Sequence, residues 1–372
     1  MIYLDYNATT PIDKEVAEAM IPYIYENYGN PSSSHQLGIN AKKAVEESRE
    51  KIAALLNCTA KEIFFTSGGS ESNNTVIKGV AHTYRHKGDH IITSQIEHPA
   101  VLNPCKFLEQ LGYKISYLPV DAYGMVNISD LEKLITNRTI LVTIMHANNE
   151  TGTIQPIEDI SKICRKHNIL FHTDAAQSVG KVSTNVDELG VDFLTIAGHK
   201  LYAPKGIGAL YIRKGIAVEP LIHGASHEMG NRAGTENVIF NVALGKACEI
   251  AKKSLYDNKI KQLTEYFYES LKGIFDEQIK LNGDLHKRLP NTLNVSFLGY
   301  HGSEILFKLG DDIAASTGSA CHSGSIAISP VLKAMGIPYT IGQGAVRFSL
   351  GRYTTKEEID IVLDRLKKIH SN

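Results

Sequence analysis

Short apolar runs alternate with helix-like stretches from about residue 60 to about residue 215, the pattern of βαβ units that build a parallel sheet. Glu62-Ile63-Phe64-Phe65-Thr66 reads as a strand, followed by the loop Ser67-Gly68-Gly69-Ser70 and a helix from Glu71. His90-Ile91-Ile92-Thr93-Ser94 is a strand that ends before Glu97-His98-Pro99. The run from Thr139 to Met145 ends before Asn148-Asn149-Glu150, and that from Ile169 to Thr173 ends at Asp174. Val191 to Ile196 is short, apolar and β-rich, and stops at Ala197-Gly198-His199-Lys200 before Pro204, Gly206 and Gly208 punctuate the chain. From about 236 to 280 one long helical pattern with alanine, leucine and paired charges is predicted, linking two parts of the chain. The C-terminal part, Pro290 to His370, mixes strands at 292–297 and 345–349 with a final helix opening on Thr354-Thr355-Lys356-Glu357-Glu358, a capping pattern. No internal repeat, low-complexity tract or long linker interrupts the series.

In open α/β sheets ligands bind at the carboxyl ends of the strands. Gly69-Ser70, His98, Asn149, Asp174 and Lys200 each fall just past a different predicted strand, so parallel strands would aim them into one crevice. A lysine at that place sits in a half-dry cleft where burial lowers an amine pKa, which suits a Schiff base with a carbonyl cofactor such as pyridoxal phosphate. An ordinary solvated loop lysine is the competing account. The Ser67–Ser70 glycine loop can hold a phosphate on backbone N–H groups and the Ser70 hydroxyl, or Ser70 can be a plain helix cap. Neither a nucleoside triphosphate loop nor a dinucleotide fingerprint is present. Asp174 can keep a pyridine nitrogen protonated, or merely cap the helix that follows. His98 can lie over a planar ring and shuttle protons; a lone histidine before proline is otherwise unremarkable. Arg347, in a strand-like run, wants a carboxylate fork, which an amino-acid substrate or an internal salt bridge would both supply.

Size and charge narrow the field. A chain of 372 residues implies two domains and ample material for a core. Lys plus Arg (39) nearly cancels Asp plus Glu (40), which argues against a nucleic-acid or membrane-surface binder. No signal peptide is visible and no run approaches the roughly 20 apolar residues of a spanning helix, so a cytoplasmic protein is expected. The five cysteines are scattered without a C-x-x-C pair, against a disulfide framework or a structural metal site. Cys58, Cys105, Cys164 and Cys248 read as small core residues. Cys321 differs, because its small, polar surroundings, Ser316-Thr317-Gly318-Ser319-Ala320-Cys321-His322-Ser323, can expose a thiol and let it move. His82, His86 and His90 are evenly spaced, but Lys87-Gly88-Asp89 breaks any helical metal site, leaving a solvated helix end.

Several stretches together resemble the cysteine desulfurases of the NifS and IscS type, pyridoxal-phosphate enzymes of the class V aminotransferase group. They are Tyr3-Leu4-Asp5-Tyr6-Asn7-Ala8-Thr9-Thr10-Pro11, Gly29-Asn30-Pro31-Ser32-Ser33-Ser34-His35, Thr66-Ser67-Gly68-Gly69-Ser70-Glu71-Ser72-Asn73-Asn74 and Glu97-His98. Further along come Asn148-Asn149-Glu150-Thr151-Gly152, His172-Thr173-Asp174-Ala175-Ala176-Gln177, Gly198-His199-Lys200, Arg232-Ala233-Gly234-Thr235-Glu236-Asn237-Val238, Gly318-Ser319-Ala320-Cys321 and Arg347-Phe348-Ser349-Leu350-Gly351-Arg352.

The resemblance implies the α/β fold type I of pyridoxal-phosphate transferases: a mainly parallel seven-stranded-type sheet with helices on both faces. A large cofactor-binding domain would span 13–250, and 251–372 with 1–12 would form a smaller α/β domain carrying the cysteine loop. Lys200 would hold the cofactor covalently and move the Cα proton, Asp174 would bind the pyridinium nitrogen and Gln177 the ring hydroxyl. His98 would stack on the ring as acid or base. Gly69, Ser70 and His199 would serve the phosphate, with Thr235 reaching it from the other subunit of a homodimer. Asn149 and Arg347 would hold the carboxylate of L-cysteine. Cys321 would attack the substrate sulfur, keep it as a persulfide, release L-alanine and hand the sulfur to an acceptor protein for iron–sulfur assembly or thio-modification. A selenocysteine lyase, another class V aminotransferase and a non-catalytic assembly subunit are the alternatives.

The chain departs from the family pattern in three places. Ala197 stands where relatives have serine, removing a phosphate hydroxyl contact. Met229 replaces an arginine of the glycine-rich stretch Gly224–Gly230, and Ala327-Ile328-Ser329-Pro330 replaces Glu-Pro-Ser after the cysteine.

Overall fold

A computed structural model of the chain describes residues 1–317 and 328–371; Cys321 and its immediate neighbours lie outside the described residues. The chain opens on the two-residue strand β1 (Ile2–Tyr3). The main sheet follows with β2 (Ile63–Thr66), β3 (His90–Ser94), β4 (Lys114–Leu118), β5 (Thr139–Thr143), β6 (Leu170–Asp174), β7 (Phe193–Ala197) and β8 (Gly208–Ile212). The C-terminal part adds β9 (Ile279–Leu281), β10 (Thr292–Phe297), β11 (Ile313–Ala314) and β12 (Ala345–Ser349).

The main sheet has seven strands in the order β2-β8-β7-β6-β5-β3-β4. Strands β4, β3, β5, β6 and β7 run parallel. β8 is antiparallel to both β7 and β2, so β2 points the same way as β7. All five strands that precede a candidate site residue therefore end on one edge.

Both faces of the sheet are buried, which is why its strands read as continuous apolar runs rather than alternating ones. On one face Phe64, Ile91, Leu141 and Phe193 pack with Val76, Val80 and Leu108 of the helices Gly69–Thr83 and Pro99–Gln110. On the other, Phe65, Ile92, Val142 and Leu194 pack with Ile52, Leu56, Leu244 and Ala247 of the helices Gln36–Leu56 and Val238–Ser254.

A separate cluster joins Ile2 and Leu4 to Phe267, Phe275, Val295, Phe297, Phe348 and Leu366. Its edge-on aromatic pairs Phe267–Phe348 and Phe275–Phe297 each have centroids 5.1 Å apart. The first residues are thus built into the C-terminal part, with β1 parallel to β11, while β9 and β12 flank β10 antiparallel.

Three expectations need correction. The helical pattern over 236–280 is two helices, Val238–Ser254 and Lys259–Phe275. Asp257 Oδ1 accepts from the Lys259 N–H at 2.9 Å between them, a local side-chain bond that competes with helix continuation. The helix expected from Glu71 starts at Gly69 on Gly68, whose φ of 150° suits glycine, and Glu71 reaches back to the Ser67 N–H at 2.8 Å. Ser70 is therefore inside the first turn and is not its cap. His90 belongs to no solvated helix end: it is buried in β3, with its ring nitrogens 2.8 Å from Thr139 and from Ser116 hydroxyls. The final helix, Lys356–Ser371, does open on a reciprocal pair, Thr355 with Glu358.

The departure at Met229 sits beside a buried ion pair. Arg49 meets both Glu228 carboxylate oxygens at 2.7 and 3.1 Å and donates to the Ile63 carbonyl, while Glu228 also accepts from the Phe65 N–H at 2.9 Å. Glu228 and Met229 both take left-handed backbone, with φ of 47° and 55°, which turns Glu228 inward and leaves Met229 half exposed. Removing one partner of such a pair strands a buried charge. Arg49→Leu is expected to lower the unfolding free energy by about 3–5 kcal/mol, read from urea transitions; a change under ~1 kcal/mol would assign the pair the weight of a surface bridge.

Candidate active site

The lysine turn is set by the backbone. After β7 the chain makes a 3-10 turn, Gly198–Lys200, and a Cβ at Gly198 would sit 2.8 Å from the Ile207 carbonyl oxygen, so only glycine fits beside the returning chain. The turn delivers Lys200 into a cavity of about 490 Å3. Gly69, Ser70, His98, Asn149, Asp174, Gln177, His199, Lys200 and Arg347 all line it. Thr235 does not; it is exposed elsewhere on the chain.

Each side chain is held from behind. Asp174 ends β6, where its Oδ2 accepts from the Asn73 amide at 2.7 Å and its Oδ1 from the Ala176 N–H at 2.9 Å. His98 caps the helix Pro99–Gln110, and its Nδ1 accepts from the Ala100 N–H at 3.1 Å, leaving the ring proton on Nε2. Burial and the neighbouring Lys200 charge hold its pKa down, against Asp174. His199 Nδ1 lies 3.2 Å from the Thr9 hydroxyl, and burial with the nearby lysines pushes its pKa to about 4, so the ring is neutral.

Lys200 donates to the Asn7 and Ala8 carbonyl oxygens. Burial is the main cause that lowers its pKa to about 8, with Arg347 adding repulsion and Asp5 and Asp174 opposing it. Gln177 donates to the same Asn7 carbonyl at 3.0 Å and accepts from Lys181 at 3.2 Å.

Sequence reasoning passes over Asn7, Asn73 and Glu97. Asn7 donates to the Asn149 carbonyl at 3.1 Å and to the Thr292 hydroxyl at 2.9 Å, and accepts from Asn291 at 3.1 Å. Nothing in its immediate surroundings announces this, because every partner is distant in the chain. Asn73 could be found: it stands one turn after Gly69 and so on the same helix face. Glu97 is fully buried next to His98, accepting from the Ser94 hydroxyl at 2.6 Å and the Met145 N–H at 2.9 Å, and burial raises its pKa to about 8. Cys105, Cys164 and Cys248 are buried and free, and Cys58 is half-buried; burial pushes the thiols of Cys58 and Cys105 up to about 12, far from nucleophilic use.

The donor set fits a pyridoxal phosphate. One amine of lowered pKa, one oriented carboxylate, a neutral imidazole and a helix start beside Ser70 share the cavity wall, which leaves room for a planar ring and its phosphate.

Residues 2–362 match the family described as Aminotransferase class-V. A cysteine desulfurase IscS of Dictyoglomus turgidum is 52% identical over 372 residues, covering 99% of this chain and 94% of that one. Among solved structures, a NifS-like protein superposes with a TM-score of 0.93 at 42% identity, covering 100% of this chain and 99% of the other. A structure of SspA in complex with cysteine superposes with a TM-score of 0.85 at 40% identity, over 95% of this chain and 100% of that one.

The lowered pKa of Lys200 has a kinetic consequence. Only the neutral amine attacks an aldehyde, so pyridoxal phosphate uptake by the cofactor-free protein should rise with pH and level off above about 8. Stopped-flow absorbance measures this; a rise continuing to the ordinary lysine value would place the amine in water.

Proposed function

Because the chain belongs to the class V aminotransferases, and within them to the cysteine desulfurases of the NifS and IscS type, we propose that it converts L-cysteine to L-alanine and keeps the sulfur as a persulfide on Cys321. The family's cofactor, pyridoxal 5'-phosphate, supplies a ring that draws electrons from the substrate Cα when bound. Lys200 carries it and moves the Cα proton with its ε-amine. Asp174 keeps the ring nitrogen protonated, and Gln177 binds the ring hydroxyl. Gly69, Ser70 and His199 hold the phosphate, with Thr235 reaching it from the second subunit of a homodimer. His98 stacks on the ring and serves as acid or base. Arg347 and Asn149 hold the substrate carboxylate.

The Cys321 thiolate attacks the substrate sulfur; the S–S bond forms as the C–S bond breaks, and the electron pair left on carbon takes up a proton. Sulfur then passes from the persulfide to an acceptor protein, an iron–sulfur scaffold or a thio-modification partner. Residues 13–250 form the cofactor-binding domain in this reading, and 251–372 with 1–12 the smaller one. The protein works in the cytoplasm; among the described residues no helix is long and apolar enough to cross a membrane.

The observation that supports this most is the meeting of Lys200, Asp174, His98 and Arg347, from four distant stretches, on one cavity. The relatives' names favour desulfuration over the lyase and aminotransferase alternatives.

Two variants test it. Cys321→Ser should abolish sulfur release from L-cysteine while leaving the cofactor absorbance unchanged, since aminotransfer does not need that thiol. Sulfide release at the wild-type rate would return the chain to the other class V chemistries. Ala197 lines the cavity with its methyl 3.4 Å from the Cβ position of Gly69, so a serine there is placed to reach a phosphate at the helix start. Ala197→Ser should retain cofactor about fivefold better on dialysis, the worth of one hydrogen bond of ~1 kcal/mol; equal retention refutes it.

A further inference from the structure

The guanidinium expected to hold the substrate carboxylate is already held by a carboxylate of its own chain. Arg347 Nη2 donates to Asp5 Oδ1 at 2.6 Å, and Nη1 donates to the Asn149 carbonyl at 3.0 Å. The arginine side chain is 7% exposed and that of Asp5 21%. Among the described residues, the buried Arg347 Nε has no partner. An arginine has five N–H donors in a fixed fork. Among the described residues two are spent, on Asp5 and Asn149, which leaves three, including the buried Nε–H.

The location makes the pair more than a surface contact. Asp5 follows β1 and bridges to Ser349 on β12, the strand that bears Arg347. Arg347 and Ser316 exchange backbone hydrogen bonds, and Arg347 lines the cavity together with Asn149 and Lys200. A long, flexible side chain is thereby pinned at two terminal nitrogens, each of which has a second N–H for a ligand.

We propose that Asp5 is a positioning residue that fixes the Arg347 fork for a ligand carboxylate, and so sets the preference of the site for amines that carry an α-carboxylate. The proposal rests on the reading of Arg347 as the carboxylate anchor. Asp5 balances a buried guanidinium charge while the site is empty, and it keeps the fork from swinging away when a ligand arrives. It touches neither the reacting atoms nor the cofactor-bearing amine.

The test uses the holoenzyme and two small amines, L-alanine and ethylamine, which differ by the carboxylate alone. Binding is followed by the change in cofactor absorbance. The wild type should prefer L-alanine strongly. Asp5→Ala should lose about 10- to 100-fold in L-alanine affinity with ethylamine unchanged. Asp5→Asn, which keeps an oxygen at the same place, should return L-alanine affinity to within about fivefold of wild type. With L-cysteine the loss in Asp5→Ala should appear in KM more than in kcat. Should Asp5→Ala yield no folded holoenzyme, Asp5→Ser is read by the same criteria.

L-alanine affinity within twofold of wild type, or an equal loss for both amines, overturns the proposal and leaves Asp5 as a fold-stabilising bridge. A wild type that fails to distinguish the amines overturns the carboxylate reading of Arg347, and this proposal with it.

Discussion

Strand direction is the constraint on which the site depends. β2, β3, β5, β6 and β7 all end on one edge of the main sheet, so the residues that follow them are delivered together without long loops. The reversed strand β8 does not spoil this, because it lies between β2 and β7 and turns the direction back twice. The gain is rigidity. Asp174 sits on the last residue of β6 and Lys200 three residues past the end of β7, each tied to backbone that cannot move without breaking a ladder fully buried on both faces.

The electrostatics follow from that burial. Lys200, Arg347 and the two histidines face one another across a cavity, and low solvation favours their uncharged forms where a proton can leave. Arginine cannot give up its proton, so Arg347 is the fixed cation, and it contributes to lowering the Lys200 pKa. Asp174 and Asp5 oppose that effect. The lysine value near 8 is thus a balance between desolvation and a local charge pattern drawn from both ends of the chain. Burial also raises the pKa of Glu97, to about 8, and of Glu150, to about 7.

The strands of the main sheet and the residues beyond them are legible in the sequence because apolar runs and glycine punctuation are local signals. β7 and Lys200 show this well: a buried strand, then glycine, histidine and lysine, then proline and glycines. The break at Asp257 was less legible, since the helical periodicity on either side is sound and one side-chain hydrogen bond decides the matter. His90 shows a different limit. Spacing put it with two exposed histidines, while the strand signal put it in the sheet, and the strand won because Thr139 and Ser116 satisfy both ring nitrogens. The contacts of Asn7 and Asp5 were not legible from local pattern at all. Their side-chain partners stand between 142 and 342 residues away, and no periodicity encodes a contact of that kind.

Asn7 carries the argument one step further. Its carbonyl receives Lys200 and Gln177, its amide nitrogen reaches Asn149 and Thr292, and its side-chain oxygen takes Asn291. Its backbone N–H donates to the Ser349 hydroxyl at 2.9 Å. One buried side chain and the two peptide groups that flank it therefore join the lysine turn of the main sheet to β10 and β12 of the C-terminal part. Every hydrogen-bonding group of that residue has a partner, in the cavity wall or in the C-terminal part, so the first residues of the chain act as a seam between the two. A sheet edge alone would supply the lysine, the aspartate and the histidine. It would not supply the arginine, which comes from β12 of the C-terminal part and is bonded there to Asp5, two residues before Asn7.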